Sequence, residues 1–182
     1  MTATSSLFER VTKSADWPAP LRAFHDPRPI TVARGTCTVT GPRHWAAWTL
    51  HRLAGLPDPG DGRPIVFTAE RRHDGEIWTR EVGGRRFRSR LSSPGPGRLV
   101  ERVGPASLCF RVTGHAAGFR FDLDGVRLCG MPLPRALWPR IRAAETFADG
   151  EVRFDVAAEL PWAGPLVSYR GALVAVPAEI GS

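Results

Sequence analysis

Arg80 is the first residue in this chain whose setting suggests chemistry. It lies in Trp78-Thr79-Arg80-Glu81, just before Gly83-Gly84, and Arg86-Phe87-Arg88-Ser89 follows. Two adjacent glycines between strand-like runs suit a two-residue hairpin turn. With Gly83-Gly84 as the turn, Val82 pairs with Arg85, Glu81 with Arg86, Arg80 with Phe87, Thr79 with Arg88 and Trp78 with Ser89. Side chains alternate along a strand, so one face carries Trp78, Arg80, Val82, Phe87, Ser89 and Leu91. The other carries Ile77, Thr79, Glu81, Arg86, Arg88 and Arg90, with Glu81 and Arg86 an exposed pair worth about 0.5 kcal/mol. The first face is the inner one, which puts a guanidinium among aromatics. There it needs an acidic partner, an aromatic face or a ligand anion. It is either an internally paired arginine or one that lines a cavity and orients a ligand.

The candidate acid–base groups are Glu101, Glu145, Glu159 and Tyr169. Glu145 follows Ala143-Ala144 in a mostly apolar stretch, and Tyr169, the only tyrosine, is a possible proton donor. His44 and His51 lie seven positions apart on a helical line with Trp48, about 10 Å along the axis, too far to share one metal ion. His25, His73 and His115 are isolated, and no spacing supports a metal site. Asp122-Leu123-Asp124-Gly125 lacks the further oxygen ligands of a calcium loop and reads as a solvated strand face entering a turn. The sequence has neither a G-x-S-x-G elbow nor a phosphate loop, so no cofactor is expected.

The elements that must position these groups are mostly β. Strands are expected at 30–39, 65–72, 76–82, 85–91, 98–103, 107–113, 118–123, 151–156 and 166–176, with turns every ten residues or so. One helix is expected at 43–54, with Pro42 in its first turn, Gly41 or Thr40 as its cap and Gly55 at its end. Its apolar stripe is Ala46, Leu50, Leu53 and Ala54. Residues 17–26 suit a helical turn docking Leu21 and Phe24, residues 131–139 form a Pro-rich crossing, and 1–16 reads as a loose arm or short first helix.

Composition narrows the function classes. The 182 residues suit one domain, with 1–16 as a flexible N-terminal arm and 17–182 as a single globular domain. The net charge is +7, but Lys13 is the only lysine, and Asn and Gln are absent. Acidic residues are interleaved with the arginines, the densest run being Arg85, Arg86, Arg88 and Arg90. A nucleic-acid footprint needs a clustered patch, so no nucleic-acid partner is expected. Cys37, Cys109 and Cys129 show no disulfide or zinc spacing and fit a reduced, cytoplasmic setting. No stretch is long and apolar enough for a membrane span, and no signal peptide is read at the N-terminus.

Several strings, taken in order, resemble the bacterial family named domain of unknown function 4166. They are Leu21-Arg22-Ala23-Phe24-His25-Asp26, Arg34-Gly35, Leu53-Ala54-Gly55-Leu56-Pro57, Trp78-Thr79-Arg80-Glu81, Arg86-Phe87-Arg88-Ser89, Glu101-Arg102-Val103-Gly104-Pro105, Gly130-Met131-Pro132-Leu133-Pro134 leading to Pro139 and Glu145, and Tyr169-Arg170-Gly171. The resemblance covers about 17–176. It implies a cytosolic bacterial domain, of a kind also found attached to reductase-like modules and membrane segments, and with them a reductase-like protein partner. It implies no catalytic role. The matching positions are Arg34, Trp78, Arg80, Phe87, Ser89, Glu101, Pro132, Pro134, Glu145 and Tyr169.

The expected fold is mainly β (α+β): a curved antiparallel sheet or partly open β-barrel around one central helix, with room for a small-ligand cavity. The expected function is binding of a hydrophobic or amphipathic metabolite as an accessory domain, with Arg34, Trp78, Arg80, Phe87 and Ser89 at the ligand. One alternative is a cofactor-independent isomerase, cyclase or hydrolase in which Glu145 or Glu101 is the base, Arg80 or Arg34 stabilises negative charge and Tyr169 is a further candidate. The other is a structural interaction domain with a filled interior.

Overall fold

The structure, a computed structural model, describes residues 6–12, 21, 24, 25 and 29–176. Its strands are β1 (Ile30–Thr40), β2 (Gly60–Arg72), β3 (Gly75–Val82), β4 (Arg85–Gly95), β5 (Arg98–Val103), β6 (Ala106–His115), β7 (Gly118–Leu128), β8 (Met131–Pro132), β9 (Arg140–Ala148), β10 (Glu151–Leu160) and β11 (Gly164–Val176). All pairings are antiparallel. Ten strands run in the order β1-β2-β3-β4-β5-β6-β7-β9-β10-β11, and β11 pairs back onto β1. The barrel is closed, not partly open, and closure leaves these ten strands no free edge. The short β8 is appended to β7.

The hairpin of β3 and β4 has the register read from the sequence, from Val82↔Arg85 to Trp78↔Ser89. Gly83 and Gly84 have φ of 55° and 85°, as a turn with two positive-φ residues requires. Its inner side chains are all buried, and Glu81 and Arg86 pair on the outside at 3.0 Å. Two expectations change. Arg140–Ala148 is a strand, sending Ile141, Ala143 and Phe147 against the core. Gly125 marks no turn: β7 runs on to Leu128, and the ladder with β6 shifts register between Cys109 and Phe110.

The barrel interior holds an aromatic core to which all ten strands contribute. The helix expected at its centre is elsewhere. Helix α2 (Trp45–Leu53) packs against β11 on the outside, with Ala47 in a small separate cluster with Leu160 and Ala163. Its cap is His44, whose Nδ1 accepts from the Ala46 amide at 3.2 Å, in place of Gly41 or Thr40. The expected stripe is also rotated: Ala47 and His51 are buried, whereas Leu50 and Leu53 are exposed. The reason is steric, because small Ala47 lets the helix approach the barrel and Leu at that position would not.

Helix α1 (Leu7–Thr12) packs into the barrel core instead, burying Leu7, Phe8 and Val11. These six residues lie in the stretch read as an arm or short first helix. A capping box starts the helix: the Ser6 hydroxyl accepts from the Glu9 amide at 3.1 Å, and the Ser6 amide donates to Glu9 Oε2 at 2.8 Å. The Gly97 amide donates to the Val11 carbonyl, tying the helix to the β4–β5 turn. Leu21 and Phe24 are helical and buried as expected; the rest of residues 17–26, His25 apart, lies outside the described residues.

His51 is 1% exposed, and among the described residues neither ring nitrogen has a hydrogen-bond partner. Burial lowers its pKa, outweighing the Pro57 backbone, which lies near without good bonding geometry, and the more distant Asp58. Arg85 and Arg52 add to the lowering. The unfolded chain therefore binds the proton more readily, and stability falls as pH drops below about 6.5. The His51→Leu variant should melt higher than the parent at pH 5, by an amount that shrinks toward pH 7. Thermal melts followed by circular dichroism check this, and equal differences at both values would mean that His51 titrates normally.

Candidate functional site

The inward face of β3 and β4 sets the site. Arg80 is 9% exposed, and its Nη1 donates to Ser89 Oγ at 3.0 Å and to Glu101 Oε1 on β5 at 3.3 Å. Its guanidinium carbon stands 4.9 Å from the Trp78 ring centroid and 5.4 Å from that of Phe87. Each partner follows from the pleat, since 78, 80, 87 and 89 are cross-strand neighbours on one face. All the ways of compensating a buried arginine that the protein itself can supply are in use. Burial works against the charge, but Tyr169, Glu101 and Glu145 together hold the Arg80 pKa above its ordinary value, so the guanidinium stays charged.

Glu145 enters from β9, a strand not expected from the sequence. Its Oε2 lies 2.9 Å from His25 Nε2, and both side chains are largely buried. A carboxylate oxygen accepts, so the imidazole tautomer with its proton on Nε2 is the one that donates in this bond. His25 is held from the sides by Phe8, stacked at 4.0 Å between centroids, and by Phe24, edge-on at 5.1 Å. Tyr169 comes from β11, with its ring against Phe87 and Phe154. Burial raises its pKa, Arg80 pulls it down, and Glu101 and Glu145 push it further up. At neutral pH Tyr169 is therefore a hydrogen-bond donor and not a base.

These groups meet at a cavity of about 50 Å³. Arg80, Glu145 and Tyr169 are its polar lining, and the rest is apolar: Phe24, Ile65, Phe67, Trp78, Val152, Phe154, Val156 and Leu173. Phe87, Ser89 and Glu101 brace the arginine without lining the cavity. Arg34 is not part of the site, because it is exposed on the outer face of β1, opposite Val174. Glu159, near the end of β10, also lies away from it. Among the described residues, no three His, Cys, Asp or Glu side chains are grouped to hold a metal ion.

Residues 18–173 match the family described as Domain of unknown function (DUF4166). The chain belongs to this family. No curated protein and no solved structure matches it. In this DUF4166 domain the strings that carried the resemblance divide into two groups. One group holds the charged cluster: Trp78, Arg80, Phe87, Ser89, Glu101, Glu145 and Tyr169. The other is architectural. In Arg34-Gly35 and Tyr169-Arg170-Gly171 the arginines are exposed, and the glycines lie in the β1–β11 ladder. A Cβ on Gly35 would collide with the Ala172 carbonyl, and one on Gly171 with the Thr36 carbonyl.

Sequence reasoning missed the role of His25, because Glu145, the carboxylate it meets, is 120 positions away. The available signal was its place directly after Phe24 in a turn expected to dock. Arg80→Ala tests the weight of this cluster. Removing the guanidinium strands the Glu101 carboxylate, whose side chain is only 18% exposed. The variant should lose about 3 kcal/mol of stability. Urea denaturation checks this, and a loss under about 1 kcal/mol would mean that Arg80 contributes as a surface pair does.

Proposed function

We propose that this domain binds a small hydrophobic or amphipathic metabolite inside its barrel, with the polar group of the ligand meeting Arg80, Glu145 and Tyr169. The observation that carries this reading is the convergence of three polar side chains on a cavity lined otherwise by aromatic and aliphatic groups. Ligand sites commonly combine an apolar wall with a few placed polar groups. The charge pattern favours a ligand that is itself dipolar, such as a carbonyl or hydroxyl compound. Arg80 and Tyr169 donate, and Glu145 accepts.

At about 50 Å³ the cavity has room for water but not for a metabolite, which typically needs ~300 Å³. Binding on this reading requires the interior to open. Among the described lining residues Phe24 alone belongs to no strand, so its displacement costs no ladder hydrogen bonds. Native mass spectrometry of the protein purified from its natural host should find a small-molecule adduct that denaturation removes. Tyr169→Phe keeps the ring packing, removes one donor and should reduce adduct occupancy several-fold. A clean protein mass in the parent, or an adduct indifferent to Tyr169→Phe and to Phe24→Ala, would count against the cavity as the binding site.

A second reading rests on the 2.9 Å contact between His25 and Glu145. A buried imidazole–carboxylate pair beside a tyrosine donor and an arginine has the parts for cofactor-independent proton transfer. Glu145 and His25 would take and return a proton, and Arg80 and Tyr169 would stabilise the developing oxyanion. Once the bound metabolite is known, Glu145→Gln should slow its turnover by a factor of about 100 or more while binding persists. Unchanged turnover, or none in the parent protein, would leave the binding reading alone.

A further inference from the structure

We propose that one rim of the barrel docks on an anionic lipid bilayer. Because neighbouring strands are antiparallel, the ends of β1, β7 and β10 and the starts of β2, β9 and β11 gather at the same rim. Helix α2, the β7–β9 crossing and the β10–β11 turn all sit there. Exposed large apolar side chains collect at these three elements. Trp45 is 75% exposed, Leu53 80%, Met131 70% and Trp162 57%. They form one arc, since β7, β9, β10, β11 and β1 are consecutive in the barrel.

The crossing that carries Met131 is pinned. The Leu133 amide donates to the Val126 carbonyl, the Cys129 amide to the Pro105 carbonyl, and Trp138 Nε1 to the Leu133 carbonyl at 2.7 Å. The structure therefore holds Met131 out in water, and isolated exposed apolar residues would be ordinary where a fixed cluster on one arc is not. The same arc is rich in arginine. Between Gly125 and Ala144 there is no acidic residue, while Arg127, Arg135 and Arg140 lie in that stretch. Together with Arg43 and Arg52 at α2, they make no ion pair among the described residues. Elsewhere on the surface many arginines are paired, as in Arg86–Glu81, Arg90–Asp74, Arg120–Asp122 and Arg153–Asp149, while Arg34, Arg98, Arg102, Arg142 and Arg170 are exposed without an ion pair among the described residues.

Projecting tryptophan, leucine and methionine beside unpaired arginines suit a bilayer interface. The rings and aliphatic groups sink to the headgroup level, and the guanidinium groups meet anionic lipid. A fluid surface accepts separate projecting side chains, whereas a protein partner would need a continuous complementary patch. The docking is peripheral, since no helix of the described residues is long and apolar enough to cross a membrane.

The test is co-sedimentation of the full chain with vesicles of phosphatidylcholine alone and of roughly 3:1 phosphatidylcholine to phosphatidylglycerol. The protein should pellet with the anionic vesicles, stay in solution with the neutral ones, and be partly released by raised salt. The pairs Trp45→Ser with Leu53→Ser, and Arg135→Glu with Arg140→Glu, should each weaken partitioning at least about tenfold. All four residues are exposed, so unchanged thermal melts will show the fold intact. Absence of pelleting with anionic vesicles overturns the proposal, as does pelleting that neither pair weakens. So does a dimer in light scattering that the apolar pair dissolves, which would assign the arc to a second copy of the chain.

Discussion

Arg80 carries a positive charge into a barrel interior made of phenylalanine, tryptophan, valine and leucine. Left unpaired there, it would cost several kcal/mol, more than most single contacts return. The neighbouring architecture follows from meeting that demand. β4 supplies Ser89 and an aromatic face, β5 supplies Glu101, and β3 itself supplies Trp78 two residues away. Tyr169 and Glu145 act on it from β11 and β9. Five strands are tied to one guanidinium, and each must keep its register for the compensation to hold. A one-residue slip in any of them would send its polar partner to the outside. The cluster thus favours one register of the closed barrel as well as equipping a site.

Closure sets a second constraint. Ten strands enclose more volume than the eight that side chains alone can fill. The chain fills the difference with pieces from outside the barrel sequence: Leu7, Phe8 and Val11 of α1, then Leu21 and Phe24. Phe8 is fully buried and touches His25, Trp78, Phe119 and Phe121. The role that seemed to suit the longer helix falls to a six-residue one because size matters more than length. Helix α2 presents Ala47 and His51 and lies flat against a wall, whereas α1 presents Phe8 and Val11 and fills a lumen.

What the sequence made legible was local. The β3–β4 hairpin could be placed residue by residue, since two glycines set its turn and alternation sets its faces. The inward arginine and its neighbours followed from that geometry alone. β9 was missed although Ile141, Ala143, Glu145 and Phe147 alternate with Arg140, Arg142 and Thr146. A charged residue on the inner face and two alanines blurred the pattern, and a Pro-rich run preceded it. The Ser6-Leu7-Phe8-Glu9 capping box was present and would have marked α1. The pairing of His25 with Glu145 was not legible at all, because barrel closure brings them together and no spacing encodes it. Arg34 was drawn into the site by its place in a recurring string, when the residue that the fold needs there is the adjacent Gly35.

The arginine surplus shows the same difference between composition and position. A net charge of +7 on a chain with one lysine says little, since many of the basic groups have acidic neighbours. The densest run proves the point: Arg85, Arg86, Arg88 and Arg90 lie near Asp58, Glu81, Glu70 and Asp74 respectively. Arg43, Arg52, Arg127, Arg135 and Arg140 are without an ion pair among the described residues, and they lie where the antiparallel ladder deposits α2 and the β7–β9 crossing, the places where apolar side chains also face water. Screening makes isolated surface charges weak partners at a distance, but a fixed group of like charges on one rim creates a field that single arginines do not. The strand order alone determines which loops share that rim. The topology that buries Arg80 with its partners therefore also brings Arg43, Arg52, Arg127, Arg135 and Arg140 to one rim.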